Sequence, residues 1–337
     1  MIGAILLALA TPVTPGPDCA DARAAVPGAG ACVEGPNGIA VAADEAAARA
    51  FLAEAEIGEQ RFRVTFGREP ARYALFSFDD QAVGRTSIAA LRKLGFRVVQ
   101  PLASPALLER QMADMMRRFQ PSGVGGVASR VVRREGASGV GGGGEPRGEN
   151  HIVHELGHQW YTAAFWWEAA SPAPPALPRY GSAAPDWLDE AAAMLMENDT
   201  GAQGYHQKFA DGRSADAMRA AATAPEIPLA ELTSMTHPAM VSIRTPSAAG
   251  GPVISFVTGR PTLFYSQVRV FADYLAERSG NPRVLAVVSE GLSDGTAFDD
   301  WLRSYGAKHR LPPSLVAMQP DWDAWLDHRF GAAPAGQ

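Results

Sequence analysis

The sequence predicts an α+β fold: a small N-terminal α/β lobe followed by a mainly helical C-terminal lobe. Strand-like and helix-like runs alternate between about residues 40 and 120, and from residue 150 onward the chain reads mainly as helix. The 337 residues include 34 glycines and 26 prolines, about one residue in six where average usage is near one in eight. They follow no period, which points to long loops between ordered elements. No repeat at a fixed spacing is present.

The elements follow in chain order. Residues 1–10 hold a short apolar run, Ile2 to Ala10, ahead of Thr11-Pro12. The run is too short for a bilayer core of about 30 Å, so no integral membrane span is expected in the mature chain. It reads as the apolar region of a signal peptide, with Ala8-Leu9-Ala10 as the cleavage site, although no Lys or Arg precedes Arg23. Export to the periplasm, the cell envelope or the exterior is therefore expected; a disordered or core-docked N-terminus is the alternative. Residues 11–40, rich in Pro, Gly and Ala and without period, read as a leader or linker. They contain both cysteines, Cys19 and Cys32, which an exported chain can hold as a disulfide and a cytosolic one would keep as buried thiols. Neither stands beside a histidine at metal-ligand spacing, which argues against a thiolate zinc site.

The α/β lobe, with its glycine-rich loop, is assigned to residues 41–149. An alanine-rich helix is expected over Asp44–Ile57, a strand over Arg72–Phe78, a helix over Thr86–Leu94 and a short buried strand over Phe96–Val99. A helix follows over Ala106–Phe119, where Leu107, Leu108, Met112, Met115 and Met116 form an apolar stripe. Residues 122–150 are glycine-rich, with Val127 to Val132 as a strand or hairpin; no Gly-Lys-Ser/Thr follows, so this is not a phosphate loop. Residues 150–330 form the helical lobe, interrupted by a proline-rich loop at 171–185 and a second loop at about 236–261. Acids outnumber bases 36 to 30 without a dense Lys/Arg run, which argues against a nucleic-acid partner.

Chemistry concentrates in His151-Ile152-Val153-His154-Glu155-Leu156-Gly157-His158-Gln159-Trp160. Here His154, Glu155 and His158 make an H-E-x-x-H. Four residues apart on a helix, the two imidazoles lie one turn above each other and can reach one ion. Glu155 projects about 100° from His154, near enough to act on a water without ligating the ion. Asn150 is the expected N-cap. His151 lies a turn too far back to join the ion and is expected to be peripheral or exposed. The bland reading of this segment is a buried helix with hydrogen-bonded histidines. Burying two imidazoles and a carboxylate on adjacent turns costs energy unless something pairs them.

A catalytic zinc site needs a third protein ligand and an open position. Position 164 is alanine, which excludes the His ligand of the metzincin pattern. The acidic candidates are Glu168, Asp186, Asp189, Glu190 and Glu197. Glu168 is too near the end of the first helix to fold back. Asp186 reads as an N-cap, and Asp189 as a first-turn acid favoured by the helix dipole. Glu190 is a lone carboxylate in a helix of alanine and leucine that otherwise reads as buried, and an ion is its natural partner.

His154-Glu155-Leu156-Gly157-His158 together with Trp187-Leu188-Asp189-Glu190-Ala191 resembles the gluzincin metallopeptidases, especially the bacterial proteins called peptidase MA-like. The resemblance runs over about residues 60–330. It continues through Phe264-Tyr265-Ser266-Gln267, Phe271 to Glu277, Gly280, Gly291-Leu292-Ser293, Asp300-Trp301-Leu302 and Trp322 to Leu326. The two ligand segments are its specific part. It implies a zincin-like fold, Zn2+ held by His154, His158 and Glu190, Glu155 as general base, and Tyr265 as a counterpart of the tyrosine that stabilises the oxyanion in the aminopeptidase branch. Two departures stand out: 31 residues separate His158 from Glu190, and Ala191 stands where glycine often follows the ligand. Met196-Glu197-Asn198 is similar to the element that holds a substrate's amino terminus in aminopeptidases. It follows the zinc helix instead of preceding it, so exopeptidase activity is not implied.

Tyr265 also falls beside an apolar stripe of Phe264, Val268, Phe271 and Leu275, so packing is its alternative role; Tyr180, Tyr205 and His237, read as lying in or near loops, could supply the same donor. The expected activity is zinc-dependent hydrolysis of a peptide bond in a peptide or protein substrate, added as an extended strand beside residues 127–132. The competing expectations are a non-catalytic zinc-binding envelope or interaction module and a zinc hydrolase of another amide or ester.

Overall fold

The structure, a computed structural model, describes residues 19–119, 150–166, 182–213, 226–235, 243–246, 252–255 and 260–331. It is a mixed α+β fold. Helix α1 (Cys19–Ala24) leads into β1 (Ala31–Glu34) and β2 (Gly38–Ala42), then α2 (Glu45–Phe66), β3 (Tyr73–Phe78), α3 (Gln81–Lys93), β4 (Val98–Ala103) and α4 (Pro105–Phe119). After these come α5 (His151–Phe165), α6 (Asp186–Met196), α7 (Asp199–Gly212) and the single turn α8 (Leu229–Leu232). A two-stranded hairpin, β5 (Ile243–Pro246) and β6 (Pro252–Ser255), precedes α9 (Arg260–Ser279), α10 (Val284–Leu292), α11 (Phe298–Tyr305) and α12 (Leu315–Phe330).

The four-stranded sheet has the order β1-β2-β3-β4, with β1 antiparallel to β2 and the other pairs parallel. Helices cover both faces, so the Gly-Ile-Ala-Val-Ala run of β2 is buried throughout. Alternation divides the side chains: Ala40, Tyr73, Leu75, Val98 and Leu102 join the main core with α2 and α5. Ile39, Val41, Ala74, Phe76 and Val99 meet α1 and α3 on the opposite face.

The stretch read as a leader or linker is in fact structured from Cys19, and contributes α1, β1 and part of β2. Its strands are too short, and too rich in glycine and alanine, for a hydrophobic alternation to stand out. Cys19 and Cys32 form a disulfide that ties α1 to β1, a bond compatible with export. Helix α2 continues beyond Ile57 to Phe66, because Phe62 and Phe66 keep the buried stripe going between exposed charges. Asp44 is its N-cap, accepting from the Ala47 amide at 2.8 Å. Helix α3 begins before Thr86, capped by Asp80. Strand β4 runs on through Pro101 to Ala103, which an edge strand allows where the missing N–H faces outward. The second expected loop contains the β5–β6 hairpin. Among the described residues no helix is long and apolar enough to cross a membrane.

Helix α5 lies between α2 with the sheet on one side and α6 on the other. Its Trp160 packs edge-on against Phe62 of α2 and Tyr73 of β3, and donates its indole N–H to the Ala71 carbonyl at 3.1 Å. Two glycines set the spacing. A Cβ at Gly58 of α2 would stand 3.0 Å from Val153 Cγ1, and one at Gly157 of α5 would stand 2.7 Å from the Cα of Ala193 in α6. The second contact is with backbone, which cannot swing aside. Gly157→Ala would ordinarily favour an interior helix position by about 1 kcal/mol. Here it should instead destabilise the chain by about 1–3 kcal/mol through overpacking, read as a lowered urea midpoint with an unchanged slope.

Candidate metal centre

Helix α5 begins without its expected cap. The Asn150 side chain makes no capping bond; it pairs with Asn198, donating from Nδ2 to Oδ1 at 3.1 Å and accepting from the Asn198 amide at 2.8 Å. An orphan donor of the first turn, Ile152 N–H, is satisfied from another helix, by Glu54 Oε1 of α2 at 2.9 Å. A carboxylate there also complements the positive end of the helix. Helix α6 likewise departs from expectation: Pro185 occupies the N-cap and Asp186 is the first helical residue, buried. Ten of the residues from Asp186 to Met196, all but Leu195, are buried, so the acids on this helix sit in the core.

The close approach of α5 and α6 brings the three expected ligands together. His154 Nε2 lies 3.7 Å and His158 Nε2 3.8 Å from the same oxygen, Oε2 of Glu190. The ligand atoms of all three residues fall within 4.8 Å of one another. These separations are too long for hydrogen bonds. They approach the spacing of about 3.3 Å expected between two ligand atoms of one tetrahedral ion with bonds of about 2.0–2.1 Å. The rings are nearly perpendicular, at 83° with centroids 4.9 Å apart. The triad could hold a metal ion, and its donor set of two imidazoles and a carboxylate is that of a transition-metal site.

The nitrogens turned away from this point are both engaged. His158 Nδ1 contacts Asp189 Oδ1 at 2.8 Å, and His154 Nδ1 contacts Glu197 Oε1 at 2.8 Å. Each carboxylate takes a second donor: Ser182 Oγ at 2.9 Å on Asp189, and the Tyr205 hydroxyl at 3.0 Å on Glu197. Acceptors at Nδ1 fix the tautomer that presents an unprotonated Nε2 to an ion and make it more basic. Burial alone would lower the His158 pKa, but the negative charge and hydrogen bond of Asp189 and the charges of Glu190 and Glu155 outweigh that effect and push it up to about 9. Burial and the neighbouring Glu197 raise the Tyr205 phenol well above its ordinary value, so it remains a hydrogen-bond donor.

Glu155 is half-buried on α5, and its charge acts on His158. His151 is exposed, as one of its two expected roles has it. Tyr265 is half-buried on α9 against the main core, 5.7 Å from the Phe264 ring and electrostatically coupled to Tyr205. Tyr205 lies within α7 and not in a loop, with its hydroxyl committed to Glu197. Tyr180, His237, Glu168 and the strand expected at 127–132 lie outside the described residues.

Sequence reasoning did not assign the orienting pair. Asp189 reads as a dipole acid and Glu197 as a rejected ligand candidate, but both hold histidines. A signal was present: α6 contains no Lys, Arg or His, so its buried acids had to find donors on another helix. Comparison with known protein families, curated proteins and solved structures gives no match to this chain. The site therefore rests on its own geometry. Asp189→Asn and Glu197→Gln should each weaken metal binding by about 10- to 100-fold, measured by competition with a chromophoric chelator.

Proposed function

We propose that this chain is a zinc-dependent peptidase of the gluzincin type, with His154, His158 and Glu190 as the metal ligands and Glu155 as the general base. One observation carries the reading: two imidazole Nε2 atoms converge on one buried carboxylate oxygen, while each Nδ1 is held by a further carboxylate. Two histidines and a glutamate with an open position are a catalytic zinc set, and a purely structural zinc site would close all four positions.

Zinc held there would polarise a scissile carbonyl and make water acidic, with a pKa near about 7. The chain's own residues do the rest. Glu155, next to His154 and turned from it by about 100°, accepts a proton from the attacking water and passes it to the leaving nitrogen. One C–O bond forms, the C–N bond breaks, and a carboxylic acid and an amine leave. Tyr265 is the first candidate for the hydroxyl that donates to the oxyanion.

The outer edge of β4 is not open to an added substrate strand. Val99 N–H donates to Gln159 Oε1 at 3.1 Å, Pro101 has no N–H, and its carbonyl accepts from Gln100 Nε2 at 3.2 Å. Gln159 follows the ligand His158 directly, so the same helix that carries the histidines closes this edge. A peptide or protein substrate bound as an extended strand would use another edge, with residues 127–132 as the sequence's candidate. The disulfide and the apolar N-terminal run support export as the setting for the activity.

Glu155→Gln should keep the metal at one equivalent, measured by elemental analysis, while peptide hydrolysis falls at least about 100-fold. Undiminished cleavage would remove Glu155 from the mechanism. Zinc bound at one equivalent with no cleavage across broad peptide and ester libraries would instead favour a non-catalytic module. Chelation should abolish turnover in the wild type, and added zinc should restore it.

A further inference from the structure

We infer that Tyr205 is a positioning residue of the metal site, one that fixes His154 by holding Glu197 from a separate helix. The inference rests on the metal reading above and adds α7 to the parts of the fold that make the site.

The two orienting carboxylates are held very differently. Asp189 lies inside α6, one residue before the ligand Glu190, and a short side chain in a helix has little freedom. Glu197 stands at the C-cap of α6 with extended backbone, φ −67° and ψ 155°, so no helical turn limits its longer side chain. It is nevertheless only 5% exposed, and its Oε1 faces His154 Nδ1 at 2.8 Å. Three features supply the missing constraint. The reciprocal Asn150–Asn198 pair locks the chain just after Glu197 to the start of α5. Gly201, in the first turn of α7, leaves room for the carboxylate: a Cβ there would stand 2.4 Å from Glu197 Oε2. The Tyr205 hydroxyl, one turn further along α7, donates at 3.0 Å to the same Oε1 that His154 uses.

The Asn pair acts on the backbone and Gly201 only makes space, so Tyr205 is the group that directs the carboxylate itself. Its hydroxyl selects the rotamer in which Oε1 meets the imidazole. A neutral phenol does this without cancelling the negative charge that strengthens the His154 ligand. Ser182 is its counterpart on the other side, donating to the second oxygen of Asp189.

The test is a double-mutant cycle on the full chain. Tyr205→Phe keeps the ring and removes the donor, and Zn2+ affinity is measured by chelator competition alongside the melting temperature of the metal-free protein. Tyr205→Phe should weaken zinc about three- to tenfold, less than loss of a direct histidine partner, with the metal-free melting temperature almost unchanged. In a Glu197→Gln background the same substitution should cause no further loss. Unchanged affinity, or an equal loss in both backgrounds, would overturn the inference while leaving the zinc reading intact. A wild-type chain that binds no zinc would overturn both. A second measurement needs no variant: in the zinc-loaded protein a nuclear Overhauser cross-peak should join the His154 Nδ1 proton to the Tyr205 hydroxyl proton, and its absence would also overturn the assignment.

Discussion

At Gly157 the backbone of α5 comes so near α6 that a single added carbon would fall 2.7 Å from the Cα of Ala193. Everything chemical in the structure depends on that approach. It places Glu190 under two imidazoles on successive turns, and Asp189 beside the far nitrogen of one of them. The cost is a glycine in the interior of a helix, about 1 kcal/mol relative to alanine. The packing around it offsets that cost: Trp160 wedges α5 against α2 and the sheet, and Trp187 packs α6 against Phe271 and Phe298. A ligand set assembled from two helices is only as well defined as their spacing, and here backbone contact sets the spacing.

That His154, His158 and Glu190 come together was legible in the sequence because each of them breaks a local rule. Two histidines and an acid on adjacent turns, and a lone glutamate in an alanine-rich buried helix, are costly unless an ion unites them. The alternating α/β pattern located β3, β4 and the helices α2 to α4, with errors at their ends, and missed α1, β1 and β2. Those errors have physical causes. Strand β2 is built from small residues and covered on both faces, which leaves no amphipathic trace, and β1 is a four-residue, half-buried edge strand too short to show one. Helix α2 outran its expected end because its later buried positions are spaced among charged residues.

The orienting residues were hard to see for a different reason. Asp189 has a local role as a helix-dipole acid, which masks its second one, whereas Glu197 at the helix end has none and shows its role only through its partner on another helix. Their actual partners are 31 and 43 positions away in sequence. The same holds at the start of α5, where Asn150 looked like a cap. The cap's work falls to Glu54 of α2, and Asn150 is used to tie α5 to the α6–α7 junction. Capping propensities describe which group can satisfy an orphan amide, not which group does once tertiary neighbours compete.

The site gathers four carboxylates, Glu155, Asp189, Glu190 and Glu197, around two imidazoles. Packing alone gives no reason for such a collection. Apolar residues of similar volume would fill the space at lower cost, since desolvating several charges is offset only by excellent pairing. The surrounding negative charge favours a positive charge among these groups, and it raises the His158 pKa against the effect of its own burial. A divalent cation supplies the same compensation more fully, because it must displace the proton to bind and brings twice the charge. The electrostatics of this cluster thus agree with its geometry, in which the three residues could hold a metal ion between them.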